Sequence, residues 1–192
     1  MITINENIKA LIFDCDGTLV DSMPLHFEAW RETFEEFGRS YPHAFIDSRK
    51  GMPVGEVLRQ YNIHYKDNLD AASFIKRREE KAMERLHNVK AIDVVFDVVK
   101  RYRNVLPMAV CSGSGLRSVM ISLKAIGLSE LFREIITADD KFPPKPKPDM
   151  FLEAARRLNV EPQNCMVFED GDSGIQAAVS AGMFVTDIRK YI

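Results

Sequence analysis

Five short, nearly unbroken apolar runs constrain this chain more than any other feature. The first, Ile8 to Phe13, reads Ile-Lys-Ala-Leu-Ile-Phe and stops at Asp14 and Gly17. The pattern returns at Leu106–Cys111, Glu134–Thr137, Cys165–Phe168 and Met183–Asp187. Runs this short and this continuous suit strands buried on both faces, as in a parallel sheet. Amphipathic stretches lie between them. Leu116, Val119, Met120 and Leu123 share a helical face that Gly127 ends. Phe151, Ala154, Ala155 and Leu158 share a second behind Pro148, and Ile175, Ala178 and Val179 a third that Gly182 ends. Asp93 to Tyr102 reads as a further helix. Strands alternating with helices imply βαβ units with right-handed crossovers. The expected fold class is therefore α/β, with a doubly wound parallel sheet.

One segment breaks the alternation. Between Ser22 and His87 the patterns are helical and no buried strand is evident. Pro24 opens a helix whose Phe27, Trp30, Phe34 and Phe37 share a face, and Gly38 closes it. Gly51–Tyr61 and Ala71–Leu86 read as helices too, the second with a run of charges (Lys76 to Lys81) expected to face solvent. An insertion this long is a subdomain rather than a loop. The expected division is an α/β core of residues 1–21 and 88–192 and a helical insertion of residues 22–87.

Composition narrows the function classes. The chain has 192 residues and a formal net charge of −2, from 26 basic against 28 acidic residues. No general basic field exists to hold nucleic acid or an anionic membrane. No apolar stretch approaches membrane-span length. The opening residues carry neither a basic nor an apolar leader pattern. Cys15, Cys111 and Cys165 are odd in number and widely spaced. They are expected to be reduced, buried thiols of a cytoplasmic protein. Without a heptad or a broad apolar stripe, the default expectation is a monomer.

The residues suited to chemistry stand where the strands end. Asp14-Cys15-Asp16-Gly17-Thr18-Leu19 follows the first strand. Open α/β sheets bind ligands at the carboxyl ends of strands. Residues at i and i+2 of extended chain point the same way, and two such carboxylates repel unless a cation or a shared proton relieves them. Two turn-forming aspartates are the plainer alternative. Cys111-Ser112-Gly113-Ser114-Gly115 follows the second strand and opens a helix, which suits either an anion site or an ordinary helix cap. Lys145-Pro146-Lys147-Pro148-Asp149 places lysines on a stiff segment, either solvated or aimed at a phosphoryl group. Glu169-Asp170-Gly171-Asp172 follows the fourth strand and could complete an oxygen-ligand set for magnesium or cap a helix. Asp172 suits the capping role. Together these segments supply what phosphoryl transfer needs.

In their order, these motifs resemble the haloacid dehalogenase superfamily over nearly the whole chain. Phe13 to Ser22 resembles its first motif, Ser112 its second and Lys145 its third. Glu169-Asp170 with Gly174-Ile175 and Ala177-Ala178 resembles its fourth. The insertion, opening with His26-Phe27-x-Ala29-Trp30, resembles the helical cap of the β-phosphoglucomutase-like branch. Within that branch the chain resembles short bacterial sugar phosphatases, including fructose-1-phosphate phosphatases. The resemblance implies a Rossmann-like core and an Mg2+-dependent phosphatase acting on a small phosphorylated metabolite. It implies Mg2+ held by Asp14, the main-chain carbonyl of Asp16, and Asp170, with Glu169 behind them. It makes Asp14 the nucleophile and Asp16 the acid and base. Ser112, the Gly113 amide and Lys145 would bind the phosphoryl oxygens. His26 and Lys50 become the cap's candidates for substrate contact. A chloro-acid dehalogenase does not call for the second acid that Asp16 supplies.

Two departures matter. Mutases of this branch carry an arginine shortly after the cap-loop glycine, where Val54 stands here; Arg59 is the basic residue that a shifted alignment would offer. Gly171 stands where many relatives have serine. The Val54 departure favours hydrolysis over a phosphomutase, which is the alternative activity. A phospho-aspartate signalling module would lack both Asp16 and the insertion.

Overall fold

The computed structural model describes residues 2–49, 52 and 54–192. The chain divides into two compact units, Met1–Ser22 with His87–Ile192, and Met23–Leu86.

The first unit is built on five parallel strands. They are β1 (Ala10–Phe13), β2 (Met108–Cys111), β3 (Glu134–Ile136), β4 (Cys165–Glu169) and β5 (Phe184–Asp187), in the order β3-β2-β1-β4-β5. The central strands are apolar and fully covered, as parallel strands between helices must be. Alternation splits their side chains between two faces. Ala10 and Ile12 join Ala109, Cys111, Cys165 and Val167 in one buried cluster. On the other face Phe13 stacks on Phe168 at 4.8 Å between ring centroids, with Phe132 edge-on at 5.9 Å. The order places β1 between β2 and β4. The chain steps outward from β1 to β2 and β3, then crosses back to β4 on the far side of β1. That reversal brings the ends of β1, β2 and β4 together at the carboxyl edge of the sheet, where such folds open a crevice.

Eight α-helices are present among the described residues. In the first unit they are α5 (Asp93–Tyr102), α6 (Leu116–Ala125), α7 (Asp149–Leu158) and α8 (Asp172–Ser180). Met150, Phe151, Ala154 and Ala155 form the inward face of α7. Two expected faces are shifted. Val179 is 63% exposed; α8 buries Gly174, Ala177 and Ala178, so only small side chains separate it from the sheet unit's core. Leu116 is 45% exposed because it is the first residue of α6, where the helix leaves its loop. The inward side of α6 is carried by Val119, Ser122 and Leu123.

The second unit holds α1 (Met23–Glu36), α2 (His43–Asp47), α3 (Val54–Tyr65) and α4 (Ala71–Leu86). Phe34 is its hub: its ring lies 4.8 Å from both Tyr61 and Phe74 and 5.9 Å from Trp30. Phe27 and Phe37 pack against this cluster from α1 and from the turn after it. The charged run on α4 is more than a solvated face. Arg77 and Lys81 reach Glu36 at 2.7 and 2.9 Å, and Arg85 reaches Glu32 at 2.6 Å, pinning α4 to α1. The one-turn α2 has no periodicity to announce it; it buries Phe45 and Ile46. Helix α3 runs four residues past Tyr61, through the exposed Ile63 and Tyr65.

The insertion leaves and returns through paired backbone. Asp21 N donates to Lys90 O (2.9 Å) and Ile92 N to Leu19 O (3.0 Å). Because Trp30 is the chain's one tryptophan and lies beside Phe34, its fluorescence reports on the helical unit. Phe34→Ala is expected to destabilise that unit by about 3–5 kcal/mol, read from urea unfolding followed at Trp30. A loss under about 1 kcal/mol would show that the cluster recloses around the gap.

Candidate active site

The loop after β1 is folded around one carbonyl. Asp14 N donates to Phe168 O (3.0 Å), extending the β1–β4 pairing by one residue. Cys15 O then accepts from Thr18, Leu19 and Val20 N at 3.3, 3.0 and 3.1 Å. This turn requires Gly17, whose φ is +87°, and the Asp170 carboxylate leaves no room for a side chain there. A Cβ on Gly17 would stand 2.8 Å from Asp170 Cγ. Thr18 Oγ1 donates to Asp170 Oδ1 (2.9 Å), joining the loops after β1 and β4.

Carboxylate oxygens of Asp14, Glu169 and Asp170 all lie within 4.8 Å of one another. Asp14 is 7% and Glu169 3% exposed. A single ammonium answers them: Lys145 Nζ donates to Asp14 Oδ1 (2.7 Å), Glu169 Oε1 (2.6 Å) and the Cys111 carbonyl (3.1 Å). It also sits 5.1 Å from the Phe151 ring centroid, so α7 supports it. Lys147, the other lysine of the segment, is exposed. Glu169 Oε2 accepts from Gly171 N (2.7 Å). Its carboxylate occupies the space where a Cβ of Gly174 would lie, 2.8 Å from Glu169 Cγ. The glycine one turn into α8 is thus what lets Glu169 reach Lys145.

The electrostatics follow from the count of charges. Burial pushes the Asp14 carboxyl well above the usual carboxylate range; Lys145 opposes this, while Glu169 and Asp170 add to it. Asp170 is raised by burial and then by the Glu169 charge. Burial alone would lower the Lys145 ammonium, but Asp14 and Glu169 reverse that and hold it above its ordinary value. The site carries more negative charge than one lysine balances. Clustered hard oxygen donors with an unbalanced charge fit a hard divalent cation.

Asp16 follows in the same loop, two residues beyond Asp14. It accepts Ser22 Oγ at Oδ1 (2.7 Å) and Ser114 Oγ at Oδ2 (2.6 Å). Ser112 is buried at the end of β2, with its N on Ile136 O (2.9 Å) and its Oγ taking Ser114 N (3.0 Å). Gly113 is exposed, and a Cβ there would meet nothing within 4 Å. The start of α6 already holds an anion of the chain's own, since Leu116 N donates to Asp139 Oδ2 (2.8 Å). Asp172 is exposed in the first turn of α8 and pairs with Arg189 (2.9 Å).

In the helical unit, His26 Nδ1 lies 3.1 Å from Arg78 Nη2. Lys50 falls outside the described residues. Val54 packs against the aromatic cluster, and Arg59 pairs with Glu56 (2.7 Å) at the surface of α3. Thr18, Ser22 and Ser114 escaped the sequence reading as contacts. Their hydroxyls stand in the motif segments, but residue type alone does not reveal which carboxylate each one holds.

A protein-family model described as haloacid dehalogenase-like hydrolase matches residues 11–188. Fructose-1-phosphate phosphatase YqaB of Escherichia coli (strain K12) is 36% identical over 185 residues, covering 96% of this chain and 98% of that protein. Beta-phosphoglucomutase of Bacillus subtilis (strain 168) is 26% identical over 188 residues, covering 94% and 83%. A solved structure of a conserved haloacid dehalogenase-like protein of unknown function from Agrobacterium tumefaciens has a TM-score of 0.78 at 33% identity. It covers 93% of this chain and 81% of its own.

The raised carboxyls make a stability prediction. A carboxyl raised in the folded state contributes stability below its unfolded value, ~3.9, and loses it as pH climbs through the folded value. The metal-free site is therefore expected to weaken the fold from acid toward neutral pH, and a divalent cation to offset the loss. Mg2+ at ~100 times its Kd is expected to raise Tm by about 5–10 °C at pH 8 against EDTA-treated protein, and by less at pH 5. Scanning fluorimetry reads both; equal shifts, or none, would contradict the charge balance described here.

Proposed function

The chain belongs to the haloacid dehalogenase-like hydrolases, as a phosphoric monoester hydrolase, and on that premise we propose that it cleaves small sugar phosphates through an aspartyl-phosphate on Asp14. The observation that carries this reading is the cluster of Asp14, Glu169 and the half-buried Asp170 at the carboxyl ends of β1 and β4, with Lys145 bound to the first two.

The side chains of Asp14 and Asp170 and the main-chain carbonyl of Asp16 would hold Mg2+, with Glu169 behind them, tied to Lys145 and Gly171 N. When bound, the cation supplies charge neutralisation for the approach of a phosphate dianion to a carboxylate. The remaining work falls to the chain. Asp14 attacks phosphorus; its oxygen–phosphorus bond forms as the ester bond breaks. The electron pair leaves with the sugar oxygen, which takes a proton from Asp16. Water then attacks the aspartyl-phosphate, gives its proton to Asp16, and restores Asp14 as phosphate departs. Ser112, the Gly113 amide and Lys145 would bind the transferring oxygens. His26 and Lys50 are the helical unit's candidates for substrate recognition. Three free, buried cysteines suit a reducing cytoplasm.

Hydrolysis is favoured over isomerisation by Val54. A mutase must grip a second phosphate. Val54 lies against the apolar cluster of its own unit, and Arg59 is engaged by Glu56. Neither residue provides that grip.

The test is phosphate release from fructose-1-phosphate, glucose-6-phosphate, β-glucose-1-phosphate and 6-phosphogluconate, with Mg2+ and with EDTA. Release is expected only with the metal, and Asp14→Asn is expected to remove at least ~1000-fold of the rate, since it loses the nucleophile. Conversion of β-glucose-1-phosphate to glucose-6-phosphate without phosphate release would establish the mutase instead.

A further inference from the structure

Both oxygens of Asp16 are engaged by hydroxyls from separate parts of the sheet unit. Ser22, at the end of the first loop, donates to Oδ1, and Ser114, 98 residues beyond Asp16, donates to Oδ2. A carboxylate on a single Cβ–Cγ bond turns easily unless both oxygens are fixed. Ser114 is itself well anchored. Its amide donates to Ser112 Oγ (3.0 Å), and its carbonyl accepts from Ala138 N (3.1 Å). The hydroxyl is thus held by the loops after β2 and β3, while Asp16 stands on the loop after β1.

We infer that Ser114 is a positioning residue for Asp16: it fixes the plane of the carboxyl that delivers a proton to the departing alcohol. This rests on the reading of Asp16 as the acid and base. The step it serves is the breaking of the ester bond, in which Asp16 gives its proton to the sugar oxygen as Asp14 bonds to phosphorus. An alkoxide is a poor leaving group and needs that proton, whereas a nitrophenolate leaves without it. A misaimed Asp16 therefore slows phosphoryl transfer from an alkyl ester to Asp14 and spares transfer from an aryl ester. The later hydrolysis of the aspartyl-phosphate also uses Asp16 and is common to both esters, so the comparison is made in kcat/KM, which reports only the steps through ester cleavage. A hydroxyl that merely supported its loop would affect both classes alike.

The experiment compares the Mg2+-loaded wild-type protein with Ser114→Ala, Ser114→Thr and Asp16→Asn. Two substrates are used: the best sugar phosphate of the panel and p-nitrophenyl phosphate. Ser114→Ala is expected to lower kcat/KM on the sugar phosphate by about 10–100-fold. On p-nitrophenyl phosphate its kcat/KM should fall by less than about threefold, and Ser114→Thr, which keeps a hydroxyl, should recover most of the loss. Equal losses of kcat/KM on both substrates, or no loss, would overturn the inference. If Ser114→Ala fails to fold, Ser114→Cys decides, since a thiol keeps the size but donates weakly: a loss of kcat/KM larger on the sugar phosphate than on p-nitrophenyl phosphate supports the inference, and an equal loss on both overturns it. Asp16→Asn separates the two readings. If it loses kcat/KM equally on both substrates, the reading of Asp16 as the acid falls. If it is selective and Ser114→Ala is not, only the inference about Ser114 falls.

Discussion

The Lys145 ammonium is the contact on which the site's arrangement depends. One nitrogen meets Asp14 after β1, the last carbonyl of β2 and Glu169 at the end of β4. It therefore ties together the three central strands at the edge where their loops emerge. Buried charges of one sign are tolerated only when paired and hydrogen-bonded. Here the pairing is incomplete by design of the residue count: three clustered carboxylates face one lysine. A site left short of positive charge is suited to bind a cation.

The strands were legible because burial on both faces leaves an unmistakable trace, a short apolar run ended by polar residues. Their order was not. Nothing local in Cys165–Glu169 says that this strand pairs with Ala10–Phe13 rather than with its sequence neighbour β3. Once β4 lies beside β1, the clustering of Asp14 with Glu169 and Asp170 follows from geometry. The same limit explains what sequence reading missed. Thr18 meets Asp170 across 152 residues and Ser114 meets Asp16 across 98, so each contact exists only through the strand order.

The helical faces erred for a related reason. Apolar residues mark a stripe only where the helix packs on something wide. Helix α8 lies close over the sheet on Gly174, Ala177 and Ala178, and Val179 falls one step off that line. Hydrophobicity points to the largest side chain, while close packing selects the smallest. The paired backbone between Leu19–Asp21 and Lys90–Ile92 was equally silent in the sequence, because its hydrogen bonds are made by main chain and demand no particular residue.

Glycine placement carries the last step of the argument. A glycine inside a helix costs up to about 1 kcal/mol relative to alanine. Gly174 nevertheless stands one turn into α8, and the Glu169 carboxylate fills the volume its side chain would take. Gly17 likewise yields its space to Asp170 while adopting a φ that other residues resist. In both places local backbone preference gives way so that a carboxylate can stand within reach of its neighbours. Two independent concessions around one cluster argue that the position of these carboxylates, rather than the stability of the loops that hold them, is what the sequence preserves.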